Sequence, residues 1–525
     1  MSTISNPILR GFNPDPAILR VGDDYYIATS TFQWFPGVQI HHSRDLVNWR
    51  VLTHPLTRTR QLDMRGCPNS GGIWAPCLSY DKGTFYLIYT NVTSRTGTML
   101  DTPNYMVTAT DIMGPWSEPI FLNASGFDPS LFHDDDGCKY LLNMWWDHRK
   151  GRTLFGGILM QAFSTEKQTL VGPVTNIFKG TPLGATEGPH LYKRDGWYYL
   201  ITAEGGTGYG HAVTMARSRS IQGPYEVDPT NPILTAVGHD DALLKRSGHA
   251  SLVETQNGEW YMTHLCGRPL PGTDRCILGR ETAIQKCTWT QDGWLRTANG
   301  SNKPVEHVPA PDLPPHPFAP LPDRDDFDAP DLGIQWQTLR VPADPTWLSL
   351  AERPGFLRLR GRESLYSRMD QSLVARRLQA HRTTSETCLR FSPTTPQQSA
   401  GLICCYDSDK FYYLRVTWDE TSGACLGIST SDKGRYDELP ESPIAVPEGQ
   451  PIYLRACIDC SALQFHYSLD AQTWQTIGPI LDASKLADEY YAEGEHTGSF
   501  VGLCAQDLST RSAIADFDYF VYREE

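Results

Sequence analysis

Long apolar runs are missing from this chain: no stretch of about 20 apolar residues occurs, so no helix is expected to span a membrane. A positive charge balance is missing too. Lys and Arg number 46 against 60 Asp and Glu, a formal charge of −14, and nucleic acid, which attracts basic surfaces, is not an expected partner. The N-terminal MSTISNPILRGFNPDP has neither the basic nor the apolar region of a secretion signal, and the 13 cysteines follow no paired pattern. Both features point to a cytoplasmic protein with reduced thiols. Cys457 and Cys460 form one CxxC, but with no second pair and no βαβ surroundings they raise no expectation of a metal or redox site. Helical periodicity is nearly absent, with only a trace around SKLADEYYA from Ser484.

Turn formers and aromatics are abundant: 44 Gly, 38 Pro, 14 Trp and 24 Tyr favour many short strands over a helical bundle. The length of 525 residues allows two to four domains. Eight prolines between Pro304 and Pro322 form a run that is expected to be a stiff extended connector unable to pair in a sheet. It divides a region 1–303 from a C-terminal region 325–525, with 304–324 as linker. The C-terminal region alternates polar and apolar residues (FLRLRG, FYYLRVTW, ADFDYFVY), the pattern of an antiparallel β-sandwich.

The N-terminal region repeats. DPAIL from Asp15, WAPCL from Trp74, DPSLF from Asp128, EGPHL from Glu187 and HASLV from His249 start 59, 54, 59 and 62 residues apart. Each is followed by a turn and an aromatic strand, carrying Tyr26, Tyr86, Tyr140, Tyr199 and Tyr261. Units of this length built of short antiparallel strands are propeller blades, so the fold expected is all-β: a five-bladed β-propeller followed by a β-sandwich. Equivalent positions in every blade reach the same end of the central channel, which gathers Asp15, Trp74, Asp128, Glu187 and His249 although 234 residues separate the first from the last.

Three of those five are acids. Asp-Pro pairs often cap turns, each acid bonding its own backbone. Three acids at one register of a repeat instead suggest a site, because clustered buried carboxylates repel and are expensive to desolvate. Two carboxyls facing across a pocket are the equipment of glycosidic hydrolysis, one protonated to serve the leaving oxygen and one ionised. A third acid would keep the proton donor protonated, and Arg280, in CILGRETAI, is a candidate for holding the other ionised. Sugars also need flat apolar faces, for which Trp74 and Phe32 are candidates. Trp34 reads as core, Trp145 and Trp146 stay open, and His249 reads as a neutral hydrogen-bond donor, with a ligand for a channel ion as the lesser alternative. GGTGYG, from Gly205, follows a strand without opening a helix and reads as a pocket-side loop rather than a dinucleotide motif.

With these residues in view, the chain closely resembles glycoside hydrolase family 43 and its two-domain β-xylosidases. The matching stretches include GFNPDPAILRVGDDYYIATSTFQWFPGVQI, GGIWAPCLSY, SGFDPSLFHDDDG, TEGPHLY, AEGGTGYGHA, GHASLV, LGRETAI, PTTPQQSAGL and ADFDYFVY. The resemblance implies an inverting, exo-acting β-xylosidase releasing xylose from the non-reducing ends of xylo-oligosaccharides. Asp15 would be the general base, Glu187 the general acid and Asp128 the auxiliary carboxylate, with Phe32, Trp74, His249 and Arg280 binding substrate. No cofactor is implied; a channel calcium occurs in some relatives, though these residues give no support for a metal site. A homo-oligomer is implied as well. An α-L-arabinofuranosidase, as sole or dual activity, is the alternative within the family. A retaining fructosidase is disfavoured because NPDPAI, FDP and EGP depart from that group's motifs, and a carbohydrate-binding propeller would not need the acid–base pair. One departure stands out: GEHTGSF places His496 where the family has an aromatic closing the pocket, with Phe500 nearby.

Overall fold

The computed structural model describes residues 2–490 and 495–525. Five antiparallel sheets, four of four strands and the fourth in order of five, follow one another from Ala17 to Thr297. Their first strands, Ala17–Val21, Gly72–Asp81, Ser130–His133, Glu187–Arg194 and Lys245–Glu254, lie side by side around a channel, so the five sheets are the blades of a propeller. Hydrogen bonds cross between neighbouring blades inside it: Ser130 Oγ donates to the Pro189 carbonyl, Leu252 N to the Tyr192 hydroxyl, and Ile18 N to Ser251 Oγ. The aromatic second strands (DYYIAT, TFYLIYTNV, WYYLITAE) are almost wholly buried, as residues that fill both faces of a sheet should be.

The ring closes non-covalently. Leu9 bridges Thr282 of the fifth blade, and the Asn6 amide donates to the carbonyls of Ile284 and Val305 while accepting from Ile284 N. Ile4, Leu9, Ile18 and Tyr25 share an apolar cluster there with Val253, Tyr261, Ile284 and Val308. The proline-rich run takes part in this closure, contrary to the expectation that it cannot pair. His307–Pro309 is a strand antiparallel to Thr3–Ser5. It is tolerated because the pair is an isolated two-stranded edge, where proline's missing N–H costs no central ladder bond.

From Arg324 onward the chain builds two large antiparallel sheets enclosing one apolar core that includes Leu357, Leu414, Leu454, Phe465, Leu503 and Phe517. The division between the two regions is not clean. Trp34–Phe35, from the first propeller repeat, pairs with Gln337–Leu339 and forms the edge strand of one sandwich sheet. Trp34 is fully buried, its ring stacked 3.8 Å from Phe500. The weak helical signal at SKLADEYYA gives only two 3₁₀ turns, Ala483–Lys485 and Asp488–Tyr490, and the end of that stretch lies outside the described residues. Too few residues recur at helical spacing there to nucleate an α-helix.

Because Asn6 satisfies one N–H and two carbonyls across the closure, Asn6→Ala should destabilise the protein by about 1–3 kcal/mol. Urea unfolding measures this; an unchanged midpoint would mean that water replaces the side chain.

Candidate active site

The blades reach the site through a shared backbone kink. Asp15, Ala75, Asp128, Gly188 and His249 all have positive φ, at 56°, 36°, 55°, 56° and 52°. Counting from these residues, the fourth residue onward in every blade (Leu19, Ser79, Phe132, Tyr192, Val253) pairs with the repeat's tyrosine. This corrects the register expected from sequence. Trp74 and Glu187 are not equivalent to Asp15; they precede the equivalent residues Ala75 and Gly188 by one position. The ladders of blades two, four and five carry one extra residue at this point, between Trp74 and Cys77, Glu187 and His190, and Gly248 and Ser251. Proline follows the kinked residue in four blades (Pro16, Pro76, Pro129, Pro189) and is the signal that fixes the register.

All seven sequence candidates, Asp15, Phe32, Trp74, Asp128, Glu187, His249 and Arg280, line one cavity of about 460 Å³. The three acids, His249 and Arg280 are each at most 9% exposed. Neither aspartate caps its own turn. Asp15 accepts from Ser30 Oγ at 2.6 Å and from Arg280 Nη1 at 2.8 Å, whereas Asp128 accepts at 3.0 Å from the Gly188 N–H of the next blade. His249 Nδ1 stands 3.9 Å from carboxylate oxygens of both. Glycine suits position 188 on two counts: its φ is left-handed, and a Cβ there would come within 3.1 Å of the His249 ring.

Their environments drive the carboxyls apart. Burial alone would push Asp15 up, but Arg280, His249 and the Ser30 hydroxyl outweigh it and hold its carboxyl below the ordinary carboxylate range. Glu187 lies well above its ordinary value, first because it is buried, then because Asp128 and Asp15 repel its charge. Asp128 is also raised by burial and by Asp15, against the pull of His249. One acid is thus prepared to be ionised while its neighbour keeps a proton.

The walls are aromatic. Trp74 packs on Phe32 at 5.8 Å and on Phe127 at 5.3 Å, and its indole N–H donates to the Ser70 carbonyl. Of the two open tryptophans, Trp146 lines the cavity and Trp145 does not; Gly206 and Thr207 place the glycine-rich loop at its side. The sandwich supplies His496, which lines the cavity and faces Trp74 and Phe32, while Phe500 is buried behind the wall against Trp34 and Phe12. Sequence reasoning missed Arg95, Leu100, Phe127 and Phe155 in the lining, and Ser30, which orients Asp15. Their only sequence signal is position beside a repeat motif. Among the described residues no group of three or more His, Cys, Asp or Glu is arranged to hold a metal.

The description "Glycosyl hydrolases family 43" matches residues 4–295, and "Beta xylosidase C-terminal Concanavalin A-like domain" matches residues 324–523. The chain is 51% identical to a "Xylan 1,3-beta-xylosidase" of Vibrio sp, over 100% of this chain and 99% of that one. It is 50% identical to "Xylosidase/arabinosidase 43B" of Humicola insolens, over 100% of this chain and 98% of that one. Among solved structures it superposes with a TM-score of 0.98 on a xylan beta-1,4-xylosidase from Bacillus Halodurans C-125, at 59% identity over 99% of this chain and 100% of that one.

The perturbed glutamate has a consequence for stability. Folded Glu187 keeps its proton at pH values where the unfolded chain, with a carboxyl near 4.5, has released it. The folded state then binds the extra proton, so raising the pH through that window lowers stability. Glu187→Gln removes the ionisation. The variant should therefore gain stability over the parent as the pH rises from about 4, levelling off above the folded pKa of Glu187. Urea unfolding across pH tests this, and a pH-independent difference would show an unperturbed carboxyl.

Proposed function

The chain belongs to glycosyl hydrolase family 43, and we propose from its carboxyl pair that it is an inverting exo-β-xylosidase releasing xylose from the non-reducing ends of xylo-oligosaccharides. The observation that carries this reading is the opposed state of two acids in one pocket: Asp15 held ionised by Arg280, and Glu187 kept protonated beside Asp128. Asp15 acts as general base on a water at the anomeric carbon. Glu187 gives its proton to the departing glycosidic oxygen, so that the reaction passes in one displacement with inversion. Asp128, fixed by the Gly188 N–H, sustains the proton on Glu187 by repulsion and offers its other oxygen to the sugar. His249 lies between Asp15 and Asp128, 3.9 Å from a carboxylate oxygen of each.

Exo action follows from burial. The acids are almost fully enclosed, with His496 and the Trp74 and Phe32 rings around them, so a chain end can reach them and a chain interior cannot. The aromatic faces suit the C–H surfaces of a pentose. Neither step calls for a metal or organic cofactor, and a chelator is expected to leave turnover unchanged. All thirteen cysteines are free, which fits a reducing compartment and action on oligomers already taken up by the cell.

A second activity, α-L-arabinofuranosidase, is favoured by the likeness to a protein named for both sugars, and the names of other relatives leave β-1,3 and β-1,4 linkages as candidates. Comparing aryl β-xylosides with aryl α-arabinofuranosides, and xylobioses of both linkages, ranks them. The decisive test is proton NMR of xylobiose hydrolysis: α-xylose should appear first, and initial β-xylose would overturn the inverting mechanism. Glu187→Gln should lower kcat about 10²–10⁴-fold. In the parent, kcat/KM should rise with pH as Asp15 ionises, on a limb displaced to the acid side, and fall as Glu187 loses its proton, on a limb displaced upward.

A further inference from the structure

We infer that Arg246, a residue outside the pocket lining, is the positioning residue for Arg280 and through it for Asp15; this rests on reading Asp15 as the general base. Arg246 lies in the first strand of the fifth blade, three residues before His249, and is 3% exposed. Its guanidinium divides its bonds between two segments. Nε donates to the Thr207 carbonyl at 3.2 Å, while Nη2 donates to Asp488 Oδ2 at 2.9 Å and Nη1 to Glu489 Oε1 at 2.5 Å. From Asp488 the path continues within the sandwich. The Tyr406 hydroxyl donates to Asp488 Oδ1 and accepts from Thr497 N at 2.9 Å.

Both branches meet again at Arg280. Its Nη1 donates to Thr207 Oγ1 at 3.2 Å and to Asp15 Oδ1 at 2.8 Å, and its Nη2 donates to the His496 carbonyl at 3.1 Å. The result is a closed circuit of hydrogen bonds that crosses between propeller and sandwich twice. Stability alone does not explain it, since a buried ion pair contributes little net and is often replaceable by apolar residues. What the circuit does fix is the position of two acceptors, Thr207 Oγ1 and the His496 carbonyl, that hold the planar fork of Arg280 against Asp15. A second tie, His496 N to Ser70 Oγ at 3.0 Å, makes the hold partial, so weakening it should impair rather than abolish catalysis.

Two variants test this in the full chain. Tyr406→Phe removes only the hydroxyl linking Asp488 to Thr497, and Arg246→Lys keeps the charge but not the fork. Each should lower kcat about 10- to 100-fold with little change in KM, as for a small misplacement of a reacting group. Each should also move the acid limb of the pH profile upward, because Asp15 would lose part of the field of Arg280 while His249, His211, Asp128, Glu187 and Ser30 still face it. Parent kcat and an unmoved acid limb in folded Tyr406→Phe would overturn the inference. So would activity lost only in proportion to unfolded protein, with the limb in place. Asp15→Asn, assayed alongside, separates the two claims: if it abolishes turnover while Tyr406→Phe is silent, only the positioning role fails. If Asp15→Asn keeps turnover, the base assignment fails and takes this inference with it.

Discussion

One left-handed residue at the head of each inner strand governs what the pocket can be. An L-residue in that conformation costs on the order of 1–2 kcal/mol, and four of the five are not glycine. The kink turns the chain abruptly as it leaves the blade. Side chains that a straight strand would bury between sheets are delivered instead to the channel mouth. Blades one, three and five deliver the kinked residue itself, Asp15, Asp128 and His249. Blades two and four deliver the residue before it, Trp74 and Glu187, and carry the small residues Ala75 and Gly188 at the kink itself. The near-symmetric backbone therefore yields an asymmetric set of groups, and the asymmetry is chemically useful. Gly188 leaves room for the His249 ring and turns its N–H toward Asp128, so the same small residue serves two neighbours.

The sandwich completes the pocket rather than hanging from the propeller. Trp34–Phe35 leaves the first blade to extend a sandwich sheet, Trp34 stacks on Phe500, and the segment beginning at Glu495 returns to touch Arg280. Ser70 of the propeller donates to Glu495 and accepts from His496 N, tying that segment down from the other side. The linker is fastened along its length as well, with His307–Pro309 paired to the N-terminus and His316 N donating to Asp45. Movement between the two parts would have to break buried hydrogen bonds at several separate places. A site whose base is aligned by an arginine held from both sides gains from that rigidity, because alignment is lost over distances of about 1 Å.

How much of this was legible in the sequence depended on the scale of the signal. The five repeats were readable because aromatic strands recur behind turns at nearly constant spacing, and the gathering of distant acids follows from that repetition alone. The local register was misread by one residue in two blades. Aligning the motifs on their first residues places Trp74 and Glu187 beside Asp15, whereas in four blades the backbone is organised by the residue before proline. Pro16, Pro76, Pro129 and Pro189 carried the information, since each directly follows a residue of positive φ. Phe127, Phe155 and Leu100 were not legible because an apolar residue near a motif looks the same whether it faces a core or a cavity. The crossing of Trp34–Phe35 into the other sheet was equally hidden. Strand pairing between residues as far apart as Phe35 and Thr338 leaves no local trace, and Trp34 reads as core whichever core it enters.

The charges in the pocket raise a last point about economy of design. Three acids buried this deeply would all tend to protonate, and a pocket of neutral acids has no base. Placing one cation centrally would lower all three together and leave no proton donor. Here the cation is placed off centre. Arg280 bonds Asp15 directly, whereas its influence on Asp128 and Glu187 is outweighed by their burial and by the negative charge it stabilises on Asp15. The ionised aspartate thus becomes part of the reason that Glu187 stays protonated. Acid and base are not tuned separately: the charge that Arg280 fixes on Asp15 adds to burial and to Asp128 in keeping the proton on Glu187.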